Sequence, residues 1–427
     1  MSNILTAYPT AESAASKASR RLIIAASLGN VFESFDLYIF GIMASTIAKL
    51  YFPAASDAAS LLIFLSTFGV TFFVRPLGAV YLGNLADKIG RARVMSLSLL
   101  LMTVGMLIVA VTPTFATIGI AAPIAVVIGR VLQGFSAGGE FGSATALLAE
   151  HHPQRRGFIT SWQAATQGFA LMSAAATGAF LTASLSAAQF DSWGWRLPFL
   201  FGALLGPVGL YLRRHTEESS EFDEHANGEP IVELFKSQKS RVMTGIGLIA
   251  LATIMIWMSV FLPTYAIRQF HMNPTIAFFG AVVSGATVFV LSPFVGLISD
   301  YVGRIAPMLV GTTAAALLAY PVFAMMKTSP TLGTLIICSV IFGTIIALYF
   351  GPIPALMSEL FPVSTRTSGL SISYNVGVTV FGGFAPLILT TLNVVTANPL
   401  APSYYVIFGA AIGVLSLCSV RWHLKMY

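Results

Sequence analysis

Long apolar runs alternate with short polar turns along the whole chain, and each run can cross roughly 30 Å of hydrocarbon as a helix of about 20 residues. The pattern predicts about twelve spans, at 22–50, 58–82, 94–112, 118–149, 157–183, 193–212, 242–266, 275–299, 305–326, 331–357, 367–392 and 402–421. Alternating strands of the membrane-barrel type are absent from this reading. One polar turn returns. GNLADKIGR places Gly83, Asp87, Gly90 and Arg91 between spans two and three, and GLISDYVGR places Gly296, Asp300, Gly303 and Arg304 between spans eight and nine. The constant offset of 213 positions is half the chain, so the sequence predicts two copies of one six-helix unit.

Composition sharpens this into an all-α membrane protein. Of 427 residues 56% are hydrophobic and only 9% charged, against about 25% charged in soluble domains. Cys338 and Cys418 both lie in apolar runs, so neither a disulfide framework nor a metal site is expected. With the amino terminus in the cytoplasm, 17 of the 23 Lys and Arg residues fall on the inside, which sets both termini cytoplasmic. The net charge of +6 then reflects topology and gives no reason to expect nucleic acid. The expected domains are a tail at 1–21, a bundle at 22–212, a cytoplasmic linker at 213–241, a second bundle at 242–421 and a tail at 422–427. The linker carries six acids between Glu217 and Glu229 and reads as a solvated connection with room for a surface helix. Nothing in the sequence demands more than a monomer.

Two six-helix halves with GxLxDxxGR in each resemble the major facilitator superfamily, and RVLQGFSAGGE (130–140) resembles its second motif. GNVFESFDLYIFG (29–41), FFVRPLGAVYLGNLADKIGR (72–91), RRGFITSWQ (155–163) and WGWRLPFLFG (193–202) are similar to the metabolite:proton symporter family. FSAGGEFG, TSWQ and FGGFAPLI (381–388) resemble its citrate and tricarballylate branch. The resemblance implies the major facilitator fold and a bacterial inner-membrane transporter that imports a small organic anion with protons. It implies no enzymatic chemistry and no cofactor beyond the proton gradient. A drug exporter of the superfamily would usually carry a Gly-Pro-Gly motif in span five, which here has no Pro. Export of an acidic drug and symport of an osmolyte such as betaine or proline remain the alternatives. The resemblance assigns Asp87, Arg91, Asp300 and Arg304 to gating, Asp as a helix cap and Arg as an ion-pair partner that form in one conformation and break in the other.

Five ionisable residues lie at membrane depth: Glu33 and Asp36 in span one, Arg75 in span two, Arg130 and Glu140 in span four. Each costs about 2.5–3.5 kcal/mol near the bilayer centre, so they must face a cavity or one another. Asn30, Glu33 and Asp36 recur every three residues, and Arg130, Gln133 and Glu140 form a stripe on span four. The superfamily fold would bring these stripes to a central cavity. Arg130 and Arg75 are then the groups for an anionic substrate, since guanidinium binds carboxylate bidentately, with an ion pair that holds helices together as the alternative for Arg75. Glu33, Asp36 and Glu140 are the candidate proton sites, because burial favours a neutral acid and a nearby Arg a charged one; the alternatives are that Asp36 only pairs an Arg and that Glu140 locks the gate. Gln133, Gln163, Gln167, Tyr374, Asn375 and Asn30 are the uncharged polar candidates for substrate hydroxyls or a second carboxylate.

Overall fold

In the computed structural model, which describes residues 29–89, 91–151, 153–214 and 230–424, every regular element is helical. Span one is broken into α1 (Gly29–Ile42) and α2 (Ala44–Tyr51), which meet at a 65° bend. The helices α3 (Asp57–Ile89) and α4 (Arg91–Val111) flank the first charged turn. After the single turn α5 (Phe115–Ile118), one apolar stretch is split at Gly138–Gly139 into α6 (Ala121–Ala137) and α7 (Glu140–His151). Then come α8 (Arg156–Thr160), α9 (Trp162–Ser184), α10 (Ala187–Ser192) and α11 (Leu197–Arg214). Beyond residue 229 follow α12 (Pro230–Ser237), α13 (Lys239–Phe270), α14 (Pro274–Val302) and α15 (Ile305–Thr328). The last are α16 (Leu332–Phe350), α17 (Ile353–Leu360), α18 (Arg366–Gly377), α19 (Ala385–Thr396) and α20 (Ala401–Cys418).

Eight helical stretches among the described residues are long and apolar enough to cross a membrane, nine if α1 and α2 count as one. The helices α4, α9 and α11 stand where hydropathy places spans three, five and six; α9 is diluted by Gly, Ala, Ser, Thr and Gln, which lower its mean hydropathy. Local chemistry sets the ends. Asn273 accepts from Thr275 N at 2.9 Å with Pro274 behind it, a start signal for α14. Gly303 ends that helix at φ 86°, a left-handed conformation that explains the second Gly of the repeated turn. Large apolar side chains such as Phe73, Leu204, Leu317 and Leu415 point outward, as lipid contact requires. In α13, by contrast, nearly every side chain from Leu248 to Ala266 is buried, which makes it the central helix.

Two seams join the helices before residue 215 to those after 229. Along the first, α9 and α14 run antiparallel with backbones almost touching: a Cβ on Gly285 would lie 2.6 Å from the Gly168 carbonyl oxygen. Thr182 meets Thr275 at the far end of this seam, with 3.2 Å between hydroxyls. The second seam depends on a proline. Pro76 has no N–H to give the Phe72 carbonyl one turn back, and Thr379 Oγ1 donates to that carbonyl at 2.7 Å. Thr379 belongs to a π-helical turn, Val378–Gly383, set between α18 and α19.

Part of the linker is ordered. Its described final third forms α12, and Leu234 buries against Val242, Leu360 and Phe361. The acids upstream mask this short IVELF segment when polarity is averaged over the linker.

Candidate functional site

Glu33 on α1 and Arg75 on α3 form an ion pair, both nearly sealed from solvent at 8% and 3% exposure. Arg75 also lies over the Phe72 ring, 5.3 Å from its centroid, a cation–π contact that the low-dielectric surroundings strengthen. The pair is positioned by close helix packing, because Gly134 and Gly138 of the α6 region leave room for the α3 backbone at Thr71 and Arg75.

Asp36 turns away from Glu33. Steps of three residues fall short of a full helical turn, so Asp36 ends roughly 120° around α1 from Asn30. There it accepts from Arg130 Nη1 at 3.0 Å and from Gln133 Nε2 at 2.9 Å, with exposures of only 1% and 2% for Asp36 and Arg130. Phe40 covers the guanidinium at 4.2 Å. Two further nitrogens of Arg130, Nε and Nη2, have no acceptor among the described residues.

A cavity of ≈ 30 Å³ lies between the two parts of the chain. That is room for about two water molecules. Asn30, Glu33, Arg75, Gln167 and Tyr374 line it together with Ser34, Tyr38, Thr253 and a wall of aromatic and aliphatic side chains. Gln167 ties the wall across the chain, accepting from the Tyr38 hydroxyl at 3.1 Å and reaching the Tyr374 hydroxyl at 3.5 Å. Phe141 stacks on Tyr374 with ring centroids 3.6 Å apart, and Trp257 meets Phe68 and Phe72 edge-on at 5.2 and 5.3 Å. Aromatic rings thus close the cavity on two sides.

The other candidates stand elsewhere. Arg130, Gln133 and Asp36 sit behind the cavity wall in their own cluster. Gln163 is buried on α9, its backbone carbonyl accepting from Asn30 Nδ2 at 3.0 Å. Asn375 donates to the Gly138 carbonyl at 2.6 Å and so holds α18 to the α6–α7 break. Glu140 opens α7 beyond that break and interacts electrostatically with Arg75. Sequence reading missed Tyr38, Ser34 and Phe141 as lining groups. The signal was present for the first two, since Asn30, Ser34 and Tyr38 recur every four residues and share a true helical face.

The second copy of the repeated turn bonds across the chain. Asp300 accepts from the Gly157 and Phe158 backbone N–H groups at 2.8 and 2.9 Å, capping α8 across the chain. Arg304 Nη1 holds Asp300 at 2.6 Å while its Nη2 reaches Glu359 at 3.2 Å. A second ion pair, Arg366 to Glu150 at 3.0 Å, crosses nearby. The side chains of Asp87 and Arg91 in the first copy, like Gly90, lie outside the described residues. Asp300→Asn removes the anionic cap, which costs about 1 kcal/mol. A cysteine introduced as Thr253→Cys, with Cys338 and Cys418 replaced by serine, should then react about fivefold faster with an impermeant maleimide added at the Asp300 side. An unchanged labelling rate would show that the cap does not hold this end closed.

The sequence profile of the Major Facilitator Superfamily matches residues 26–386. The citrate-proton symporter of Klebsiella pneumoniae is 35% identical over 405 residues, covering 93% of this chain and 90% of that protein. The citrate-proton symporter of Salmonella typhi is 34% identical, with 92% and 91% covered. The proline/betaine transporter of Escherichia coli K12 is 31% identical, with 93% and 82% covered. Among solved structures, the proton:xylose symporter XylE bound to 6-bromo-6-deoxy-D-glucose superposes with a TM-score of 0.79 at 15% identity, covering 96% of both chains, a likeness of fold alone. With its apolar helices, the chain is a multi-pass membrane protein.

Proposed function

We propose, from the premise that the chain belongs to the Major Facilitator Superfamily, that it imports a small organic anion together with protons by alternating access. The anion is a di- or tricarboxylate of the citrate class, the proton gradient drives its uptake, and no cofactor takes part. The observation that carries this reading is the Glu33–Arg75 ion pair lining a cavity walled by both parts of the chain. Arg75 bonds Glu33 through Nη2, the nitrogen that a carboxylate binding the guanidinium in bidentate fashion would also use. A substrate carboxylate therefore competes with Glu33 for Arg75, and Glu33 stays displaced when it accepts a proton. Substrate and proton enter as a pair by this exchange, and the identity shared with two citrate-proton symporters supports the same substrate class.

The remaining architecture follows the sequence reading. Residues 22–212 and 242–421 form two six-helix bundles joined by the linker 213–241, twelve crossings in all, in a bacterial inner membrane with both termini cytoplasmic. The Asp300–Arg304 latch then lies at the cytoplasmic end, where Asp87 and Arg91 form its counterpart. The protein works as a monomer. The test is uptake of labelled citrate into proteoliposomes, with and without an inward proton gradient and with tricarballylate as competitor. Accumulation that needs the gradient and falls with tricarballylate supports the reading; equal equilibration in both conditions refutes proton coupling.

A second reading has its own support. The cavity joins a carboxylate to a wall containing Tyr38, Phe72, Trp257 and Tyr374, and aromatic faces attract quaternary ammonium groups. The relative that is a proline/betaine transporter points the same way. Competition by betaine and not by tricarballylate selects it.

A further inference from the structure

We infer that this transporter accepts its substrate only in the form that carries one net negative charge, and moves it with one proton so that no net charge crosses the membrane. The inference deepens the anion-import reading and rests on it.

It follows from the charges that face the cavity. Among the described lining residues only Glu33 and Arg75 are charged. Around them, α1 also bears Asp36, which is bound to Arg130 of α6 behind the wall. The neighbouring helices add Tyr374 from α18 and Tyr38 from α1, while Glu140 of α7 acts on Arg75 from outside the lining. The central helix α13 and the facing α16 contribute Thr253, Trp257, Phe350 and aliphatic groups, with no ionisable acid or base. Of the three acids at membrane depth, Glu33 is the one that both lines the cavity and forms the ion pair with Arg75.

The charge balance is then simple. With Glu33 ionised and paired to Arg75 the substrate-free cavity is neutral. When Glu33 takes a proton, Arg75 is left with one positive charge, and one anionic charge on the substrate restores neutrality. A second or third carboxylate would stand unpaired among aromatic and aliphatic walls, where burying an uncompensated charge is strongly unfavourable. A di- or tricarboxylic acid therefore enters with its other carboxyl groups protonated, donating hydrogen bonds to groups such as Gln167 and Asn30. After release, the proton leaves Glu33 and the ion pair reforms. Both crossing forms are neutral.

The experiment separates the two components of the proton gradient. Proteoliposomes with the intact protein receive labelled propionate, succinate, tricarballylate or citrate under an inward pH gradient, with uptake by protein-free liposomes subtracted, first with the potential clamped at zero and then with an inside-negative potassium diffusion potential. Accumulation should be the same in both conditions, whereas each net charge moved would change it about fiftyfold at 100 mV. In counterflow without gradients, apparent affinity for total tricarballylate should weaken with rising pH more steeply than that for propionate, by a further tenfold per pH unit for each proton the accepted form must keep, the proton taken by Glu33 being common to both. Stimulation or inhibition by potential overturns the inference while leaving carboxylate transport in place. Failure of all four acids to accumulate in either condition overturns the import reading itself and the inference with it. Glu33→Gln supplies a second readout, since it keeps Arg75 unpaired: exchange of labelled for unlabelled citrate should persist and pH-driven accumulation disappear. Loss of both in a folded variant overturns the role given to Glu33.

Discussion

Arg75→Ala should lower gradient-driven citrate uptake at least about a hundredfold, because it removes the one cation that faces the cavity among the described residues. The same change leaves Glu33 buried without its partner, and breaking a buried pair by removing one member costs about 3–5 kcal/mol. Lost uptake could thus reflect lost fold, and the second variant separates these causes. In Arg75→Ala with Glu33→Gln no buried charge is left uncompensated, so thermal stability in detergent should recover while uptake stays absent. Arg75→Lys keeps the charge but not the planar fork, and should weaken citrate exchange about ten- to a hundredfold without unfolding the protein. Wild-type exchange in Arg75→Ala would remove Arg75 from the binding site.

The second large effect is expected behind the wall. Arg130→Ala or Asp36→Asn should each destabilise the fold by about 3–5 kcal/mol, since each strands a charged or polar partner at 1–2% exposure. The pair is also imperfectly satisfied, with two guanidinium nitrogens lacking acceptors. Apolar residues of similar volume often replace such pairs without loss. Asp36→Leu with Arg130→Met should therefore regain most of the melting temperature that either single change loses, and its citrate affinity in exchange should stay near that of the wild type. If the double variant is stable but binds no citrate, Arg130 acts on the substrate and the cluster is more than a brace.

Much of the helical layout was legible because hydropathy is a local property. Each run from α13 to α16 announces itself without reference to any neighbour, and the repeated Gly-Asp-Gly-Arg spacing marks the turn at Gly303 whatever surrounds it. Glu33 and Arg75 were legible for the same reason: a charge in an apolar run must find a partner. What could not be read was rotation and pairing. Asp36 stands three residues from Glu33, yet the accumulated angle sends the two carboxylates to different arginines. Arg130 has the depth and the charge of a substrate ligand, and only the folded chain shows that its Nη1 meets Asp36 and its face lies on Phe40 while Nε and Nη2 keep no acceptor among the described residues. Asn375 is polar and central, and only the packing of α18 against the Gly138 carbonyl shows what it holds. The bonds of Glu150 and Glu359 join residues 216 and 55 positions apart, a separation no local pattern encodes.

The π-helical turn at Val378–Gly383 gives the cavity wall a built-in slack. Such a turn stores one residue more than an α-turn, and each residue of an α-helix accounts for about 100° of rotation. Drawing that residue into regular helix would swivel α18 as a whole, carrying Tyr374 off Phe141 and Val378 out of the lining while the chain length between helix ends barely changed. The Tyr405 hydroxyl, at 2.9 Å from the Phe381 carbonyl, and Thr379 on the Phe72 carbonyl act as detents on this spindle. A wall mounted in this way turns aside only when these two bonds, the Asn375 bond to the Gly138 carbonyl and the Gln167 contact with Tyr374 give way together.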